Sequence, residues 1–273
     1  MPTDPEPRSE LTIRALSRGL RLLSVLNSRG EASLADLAKE TGLPRPTAYR
    51  LLQSLLAENY ITKDEVLSTY HPAPRCCSLS SGFMEDAWLL EHTQEDLNKL
   101  GEELIWPISI ATNAGVRMIV RKNTDIESPL AVRKFMPGTS LALLESASGK
   151  LFLAMCTAAR RAKLIKIITG SSDPLLKSES DRLRLDKLLE KIKVDGYATH
   201  TKPGKYSEAR AIAVPIKVER KVIATLTIRY AKTAVSNKRA EKEFFPLMFE
   251  TARKIGVKIS TDQRALPAFG LGD

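Results

Sequence analysis

Apolar residues near the start of the chain recur at helical spacing. Ile13, Leu16, Leu20, Leu23 and Leu26 lie three or four residues apart, so "TIRALSRGLRLLSVLNS" predicts a helix with one apolar face. Arg14, Arg18 and Arg21 fall on its other faces. "GEASLADLAKETG" predicts a shorter second helix. Ser33 is a natural N-cap, Asp36 sits near the positive helix end, Leu34, Leu37 and Ala38 are apolar, and Gly42 ends the helix. A third helix follows closely. Ala48, Leu51, Leu52, Leu55 and Leu56 form its apolar face, leaving Arg45, Thr47, Tyr49, Arg50 and Gln53 for the others. Its entry, "LPRPTAYR", holds two prolines. A residue before proline is driven away from helical angles, so Leu43 and Arg45 are expected to be extended. The helix is then expected to begin at about Pro46, where the missing N–H has no helical partner in any case. Beyond Asn59, "YITKD" and "STYHPAP" predict two short strands around "EVL". This order is the layout of a winged helix-turn-helix, spanning residues 11–74.

From 75 to 105 the pattern is helical again, with Leu89, Leu90, Leu97, Leu100 and Leu104 at apolar positions, and predicts a linker helix. Residues 106–260 alternate strands and helices. "PISIATNAGVRMIVRK" predicts a hairpin turning near Asn113, Ala114 and Gly115, and "PLAVRKF" a further strand. "SASGKLFLAMCT", "AARRAKLIKIIT" and "ESDRLRLDKLLEKIKVDG" predict helices. "ARAIAVPIKVERKVIATLTIRY" predicts a hairpin turning at Glu219, Arg220 and Lys221, before a last helix from about Asn237 to Ile259. The class is α+β, an antiparallel sheet with helices. Residues 1–10 and 261–273 read as disordered tails.

Charge refines this picture without settling it. The net charge of +10 favours polyanionic partners, but basic and acidic residues nearly balance up to Arg75. A case for DNA therefore rests on the motif. With 43% hydrophobic residues, the chain can build a sizeable core. Cys76, Cys77 and Cys156 form no C-x-x-C, and His71, His92 and His200 are scattered, which matches neither a disulfide framework nor a zinc site and fits a reducing cytoplasm. No signal peptide and no apolar run long enough to span a membrane is evident. Ser148 with Lys150 lacks any S-x-x-K or G-x-S-x-G context, and "ASGK" is too short for a phosphate loop. No metal, cofactor or acid–base constellation argues for an enzyme.

The segments "RGLRLLSVL", "ASLADLAKETGLPRPTAYRLLQSL", "ASGKLFLA", "DGYA" and "IAVPI" together resemble the IclR family of transcriptional regulators. The resemblance covers nearly the whole chain. It implies a winged helix-turn-helix, a linker helix, and a GAF-like effector-binding and oligomerisation domain that forms dimers or dimers of dimers. "IWPISIAT" and "LLESASGKLFLAMC" are further similar to regulators of hydroxyphenylpropionate and other aromatic-acid catabolism. That likeness implies a small aromatic carboxylate as effector.

Within this frame, Arg45, Thr47, Tyr49 and Arg50 are the expected DNA contacts, with Gln53 beside them, Pro46 aiming the helix, and Lys63 in the wing meeting phosphate. Tyr49 has the alternative of packing on the wing. By resemblance, the effector pocket is lined by Leu130, Arg133, Ala147, Ser148, Ala211, Thr227 and Arg229. Arg133 and Arg229 replace the family's apolar or small residues, and either is a candidate clamp for a ligand carboxylate. Trp106 is read as core rather than pocket. Operator DNA and RNA polymerase are the candidate macromolecular partners. A winged-helix interaction module and an α+β enzyme remain the alternatives.

Overall fold

The computed structural model describes residues 13–79, 87–131, 134–170, 182–201 and 208–262. They fall into two compact units divided between residues 84 and 85. Each is taken by itself.

The N-terminal unit follows the periodicity. Helix α1 (Arg14–Arg29) buries Leu22, Leu23, Val25 and Leu26 and stops at Gly30, whose φ is 76°. A two-residue strand, β1 (Ala32–Ser33), precedes α2 (Leu34–Thr41) and α3 (Arg45–Ala57). Strands β2 (Ile61–Asp64) and β3 (Thr69–Pro72) complete a three-stranded sheet in the order β1-β3-β2. Its core is Leu22, Leu26, Leu37, Ala48, Leu52, Ile61 and Tyr70, drawn from all three helices and the sheet. The α1 stripe departs from expectation at one end. Leu23 and Leu26 are buried, but Ile13, Leu16 and Leu20 are 69%, 59% and 54% exposed. The helix extends past the small core, so its first turns have nothing in this unit to cover them.

A short helix, α4 (Arg75–Ser78), ends the N-terminal unit, with Arg75 stacked on Tyr60 and bonded to the Glu58 carbonyl. The expected linker helix spans residues 75–105, of which 80–86 lie outside the described residues. Its second piece, α5 (Ala87–Leu104), belongs to the C-terminal unit, because Leu97, Leu100 and Leu104 are buried there with residues of the sheet and the last helix.

The C-terminal unit is built on a six-stranded antiparallel sheet in the order β6-β5-β4-β9-β8-β7. Its strands are β4 (Ile108–Ala114), β5 (Arg117–Asn123), β6 (Ser140–Ala142), β7 (Ala198–Thr201), β8 (Ala209–Val218) and β9 (Lys221–Ala231). Helices cover both faces, which explains why β8 and β9 are apolar almost throughout instead of alternating. Ile212, Val214 and Ile216 of β8, with Leu226, Ile228 and Tyr230 of β9, pack under α5 and α9 (Asn237–Ser260). Ala111, Met118, Ala198 and Ala213 pack with α6 (Ala147–Met155), α7 (Ala158–Gly170) and α8 (Arg182–Asp195) on the other face. Helix α9 comes so close to β8 that a Cβ on Gly256 would run into the Lys217 carbonyl oxygen. Pro215 is tolerated in β8 because β7 pairs only with residues 210–213, leaving no partner on that side for the missing N–H. Trp106 is 9% exposed and sits edge-on to Tyr230 at 6.4 Å, a core residue as expected.

Two expectations need correction here. "PLAVRKF" is not a strand: its described residues form a turn and an irregular segment, and Val132 and Arg133 lie outside the described residues. The pattern of alternation misled because the segment is organised by side chains instead. Asn123 donates through Nδ2 to the Phe135 carbonyl at 2.6 Å, and the Phe135 N–H donates to Asp125 at 2.5 Å. Residues 261 and 262, the first two of the expected C-terminal tail, are held by hydrogen bonds, and residues 263–273 lie outside the described residues. Thr261 closes α9 through the Val257 carbonyl, and Asp262 bonds His92 at 2.9 Å.

Candidate nucleic-acid interface and ligand face

The connection from α2 to α3 is short and tightly held. The Ser33 hydroxyl accepts from the Asp36 N–H at 3.2 Å and donates to its carboxylate at 2.7 Å. That bond holds the exposed Asp36 carboxyl below its ordinary range, with Arg29 and Lys39 adding to the effect. Gly42 takes the left-handed conformation, φ 68° and ψ 23°, and the Leu43 N–H returns to the Ala38 carbonyl at 3.0 Å. Pro44 then caps α3, which begins at Arg45, one residue before the position expected from the prolines. Pro46 therefore stands at the second helical position. Its missing N–H is still one of the helix's orphan donors, so the helix loses no bond by starting earlier.

From this start, α3 sorts its side chains sharply. Ala48 and Leu52 are fully buried, and Leu51, Leu55 and Leu56 are half-buried. On the opposite side Arg45, Pro46, Tyr49, Arg50 and Gln53 are exposed, and Thr47 is half-buried at the boundary. Tyr49 is 48% exposed, so half of its side chain faces solvent. Neither Arg45 nor Arg50 makes an ion pair with any described residue. Two guanidinium groups, a phenol, an amide and a hydroxyl thus crowd one face of a helix anchored on its other face. Lys63 of β2 is held differently, by Glu65 at 2.5 Å, and that partner raises its ammonium pKa. One feature escaped the sequence reading: at the wing tip Val66 and Leu67 are 92% and 63% exposed. The Asp64 carboxylate accepts from both their N–H groups, at 2.8 and 2.9 Å, and shapes the turn that presents them.

In the C-terminal unit, the sheet face under α6 gathers most of the expected effector residues. Ser146 caps α6 by accepting from the Gly149 N–H at 3.1 Å, which places Ala147 and Ser148 in the first turn against the sheet. The Ser148 and Thr227 hydroxyls meet at 2.8 Å, both buried. Ala211 of β8 lies opposite Arg229 of β9 in register. Leu130 stands apart from this group and packs against the core of the other face.

Arg229, expected as a candidate clamp for a ligand carboxylate, has a carboxylate partner within the chain itself. Asp125, which is 0% exposed, accepts from the Arg229 guanidinium with both carboxylate oxygens. The Phe135 ring lies over the same guanidinium, 4.0 Å from its centroid. The partner went unread because Asp125 lies in the turn after β5, 104 residues before Arg229, with no motif to link them.

A helix-turn-helix with a β-ribbon, followed by a helix-covered antiparallel sheet with a polar cluster at one face, is the architecture of a two-unit bacterial transcription regulator. Residues 15–65 match the IclR helix-turn-helix domain, and residues 90–257 match the C-terminal domain of the bacterial transcriptional regulator IclR. The chain belongs to the IclR family, a family of regulators and not of enzymes. It is 27% identical over 163 residues to the transcriptional repressor IclR of Escherichia coli, a match covering 56% of this chain and 57% of that one. It is 23% identical over 249 residues to the Pca regulon regulatory protein of Pseudomonas putida, covering 88% and 82%. The chain spans about half the length of the first curated relatives it matches. Among solved structures, an IclR family regulator from Brucella abortus superposes with a TM-score of 0.65 at 18% identity, covering 91% and 94%. An IclR homologue from Microbacterium hydrocarbonoxydans complexed with 4-hydroxybenzoate superposes with a TM-score of 0.60 at 19% identity, covering 91% and 100%. Among the described residues no helix is long and apolar enough to cross a membrane.

Proposed function

We propose that the chain is a ligand-responsive regulator that binds operator DNA through α3 and controls an operon for aromatic-compound catabolism. The observation that carries the DNA reading is the exposed face of α3, where Arg45 and Arg50 have no ion-pair partner on a helix seated in the core. An arginine fork matches guanine O6 and N7 in the major groove. Arg45 and Arg50 are assigned to base edges, Thr47 and Tyr49 to phosphates, and Gln53 to either. Pro46 stiffens the entry and sets the aim. Lys63 reaches phosphate by leaving Glu65, a pair weakened by solvent screening. Operators read by such proteins are two half-sites, and the exposed stripe Ile13, Leu16 and Leu20 is the surface a second copy would cover. Dimers of dimers and contact with RNA polymerase complete the proposal.

The effector is a small aromatic carboxylic acid, bound at the sheet face under α6. Ala147, Ser148, Ala211, Thr227 and Arg229 are assigned to line it, and Leu130 and Arg133 are carried over from the family resemblance alone. Support comes from the polar cluster gathered there and from the 4-hydroxybenzoate carried by the Microbacterium homologue. Fluorescence anisotropy with DNA from upstream of the gene tests the DNA reading. Specific binding should weaken steeply with salt, with a log–log slope of about −0.9 per phosphate contact. Equal affinity for operator and scrambled duplex would refute it.

A further inference from the structure

We infer that Asp125 occupies on Arg229 the place that an effector carboxylate takes, so that an acidic effector binds by exchange with it. This rests on the effector reading above and adds the competitor and the shape of the acid.

The polar groups on this face are paired with one another. The Thr227 hydroxyl meets that of Ser148, and two residues along the same strand Arg229 meets Asp125. The pair lies out of water, with the Arg229 side chain 14% exposed and Asp125 0%. A charged pair is costly to bury, and removing one partner leaves the other stranded, so Arg229 requires a carboxylate at all times. It does not require that particular carboxylate. An acid ligand offers the same two oxygens to the same guanidinium, and the exchange conserves the pairing. Asp125 lies in the turn after β5, next to the exposed Ile126 and Glu127, and the exchange requires its carboxylate to turn toward that exposed side.

Two further features point to a ring-bearing acid. The Phe135 ring already lies over the Arg229 guanidinium and offers an aromatic surface beside the anchor. Thr227 and Arg229 are two residues apart on one face of β9, about 7 Å along the strand. A benzene ring with an acid at one end and a hydroxyl at the other offers one group to each of these two pairs. The ligand class is thus a para-hydroxylated aromatic acid, with its hydroxyl entering the Ser148–Thr227 bond. The exchange also reaches the backbone, since Asp125 accepts the Phe135 N–H at 2.5 Å and gives up that bond when it leaves.

The test titrates 4-hydroxybenzoate and 4-hydroxybenzamide calorimetrically into the full chain and into Asp125→Asn, an isosteric change. With the competing charge gone, Asp125→Asn should bind the acid at least tenfold more tightly than the wild type. The neutral amide should bind poorly to both. Equal or weaker binding of the acid by Asp125→Asn overturns the exchange while leaving the effector reading intact. No heat of binding for the acid in either protein overturns both. Hydrogen exchange on the wild type gives a second readout free of any folding defect. The Phe135 amide should lose protection when 4-hydroxybenzoate is bound, and unchanged or greater protection contradicts the exchange.

Discussion

Gly149 sits in the first turn of α6, where the helix presses on the chain that leads into it. A Cβ there would lie 2.7 Å from the Leu143 carbonyl carbon and nearer still to its Cα and oxygen, all backbone atoms that cannot swing aside. Ordinary contact begins at 3.4 Å, so α6 or the Leu143 segment has to move by several tenths of an ångström or more. Overpacking of this kind costs about 1–3 kcal/mol. The displacement also stretches the 2.8 Å Ser148–Thr227 bond, a further ~1 kcal/mol. Alanine's helical preference over glycine offsets about 1 kcal/mol. The net expectation for Gly149→Ala is a destabilisation of about 1–3 kcal/mol, or roughly 2–10 °C in the melting temperature of a unit this size. Gly19→Ala in α1 is the control. Its Cβ would meet only Leu51 Cδ2 at 3.7 Å, so the helical preference acts unopposed and should stabilise the N-terminal unit by up to ~1 kcal/mol. Differential scanning calorimetry of both variants checks the pair. A Gly149→Ala protein melting at or above the wild-type temperature would refute the close-packing argument.

Leu16→Glu with Leu20→Glu should shift the chain toward monomer in analytical ultracentrifugation without unfolding it, because both side chains are exposed within the unit. The Asp36 carboxyl should titrate below the ordinary ~3.9 when followed by NMR, and Ser33→Ala should raise it. Since its folded pKa is depressed, its contribution to stability is full above the unfolded value and is lost as pH falls through the folded one. Burial raises the thiol pKa of Cys76 and of Cys156, so under native conditions an alkylating reagent should modify exposed Cys77 first, as peptide mass spectrometry would detect. Pro46→Ser should leave the melting temperature nearly unchanged but alter operator preference in a binding-site selection, and identical preference would remove the aiming role from the proline.

What was legible in the sequence followed from local rules. Helical spacing located α1, α2 and α3, and Ser33 and Gly42 marked α2's ends because capping is a matter of neighbours. The β4–β5 and β8–β9 hairpins were legible because their turns are short and their partners adjacent. Strands β6 and β7, three and four residues long, passed unnoticed because their pattern is too short to have a period. The exposed face of α3 could be read from periodicity alone. The polar cluster on the sheet face under α6 could not. Resemblance pointed to Ser148, Thr227 and Arg229, but only tertiary structure brings Asp125 and Phe135 onto Arg229, across separations of about a hundred residues. For the same reason a pattern that read as a strand proved to be a turn held by side chains.

Helix α3 is the proposed reader of DNA sequence, and one comparison tests this most directly. Anisotropy titrations of the wild type and Arg50→Ala against operator and scrambled duplexes, at one fixed salt concentration, give the specificity ratio of each protein. Losing a bidentate guanine contact should cost Arg50→Ala about 1–3 kcal/mol on the operator and much less on the scrambled duplex. The ratio should therefore collapse while melting temperature holds, since Arg50 is exposed. An Arg50→Ala protein that keeps the wild-type ratio, together with an Arg45→Ala protein that does the same, would contradict the assignment of α3 as the reading helix.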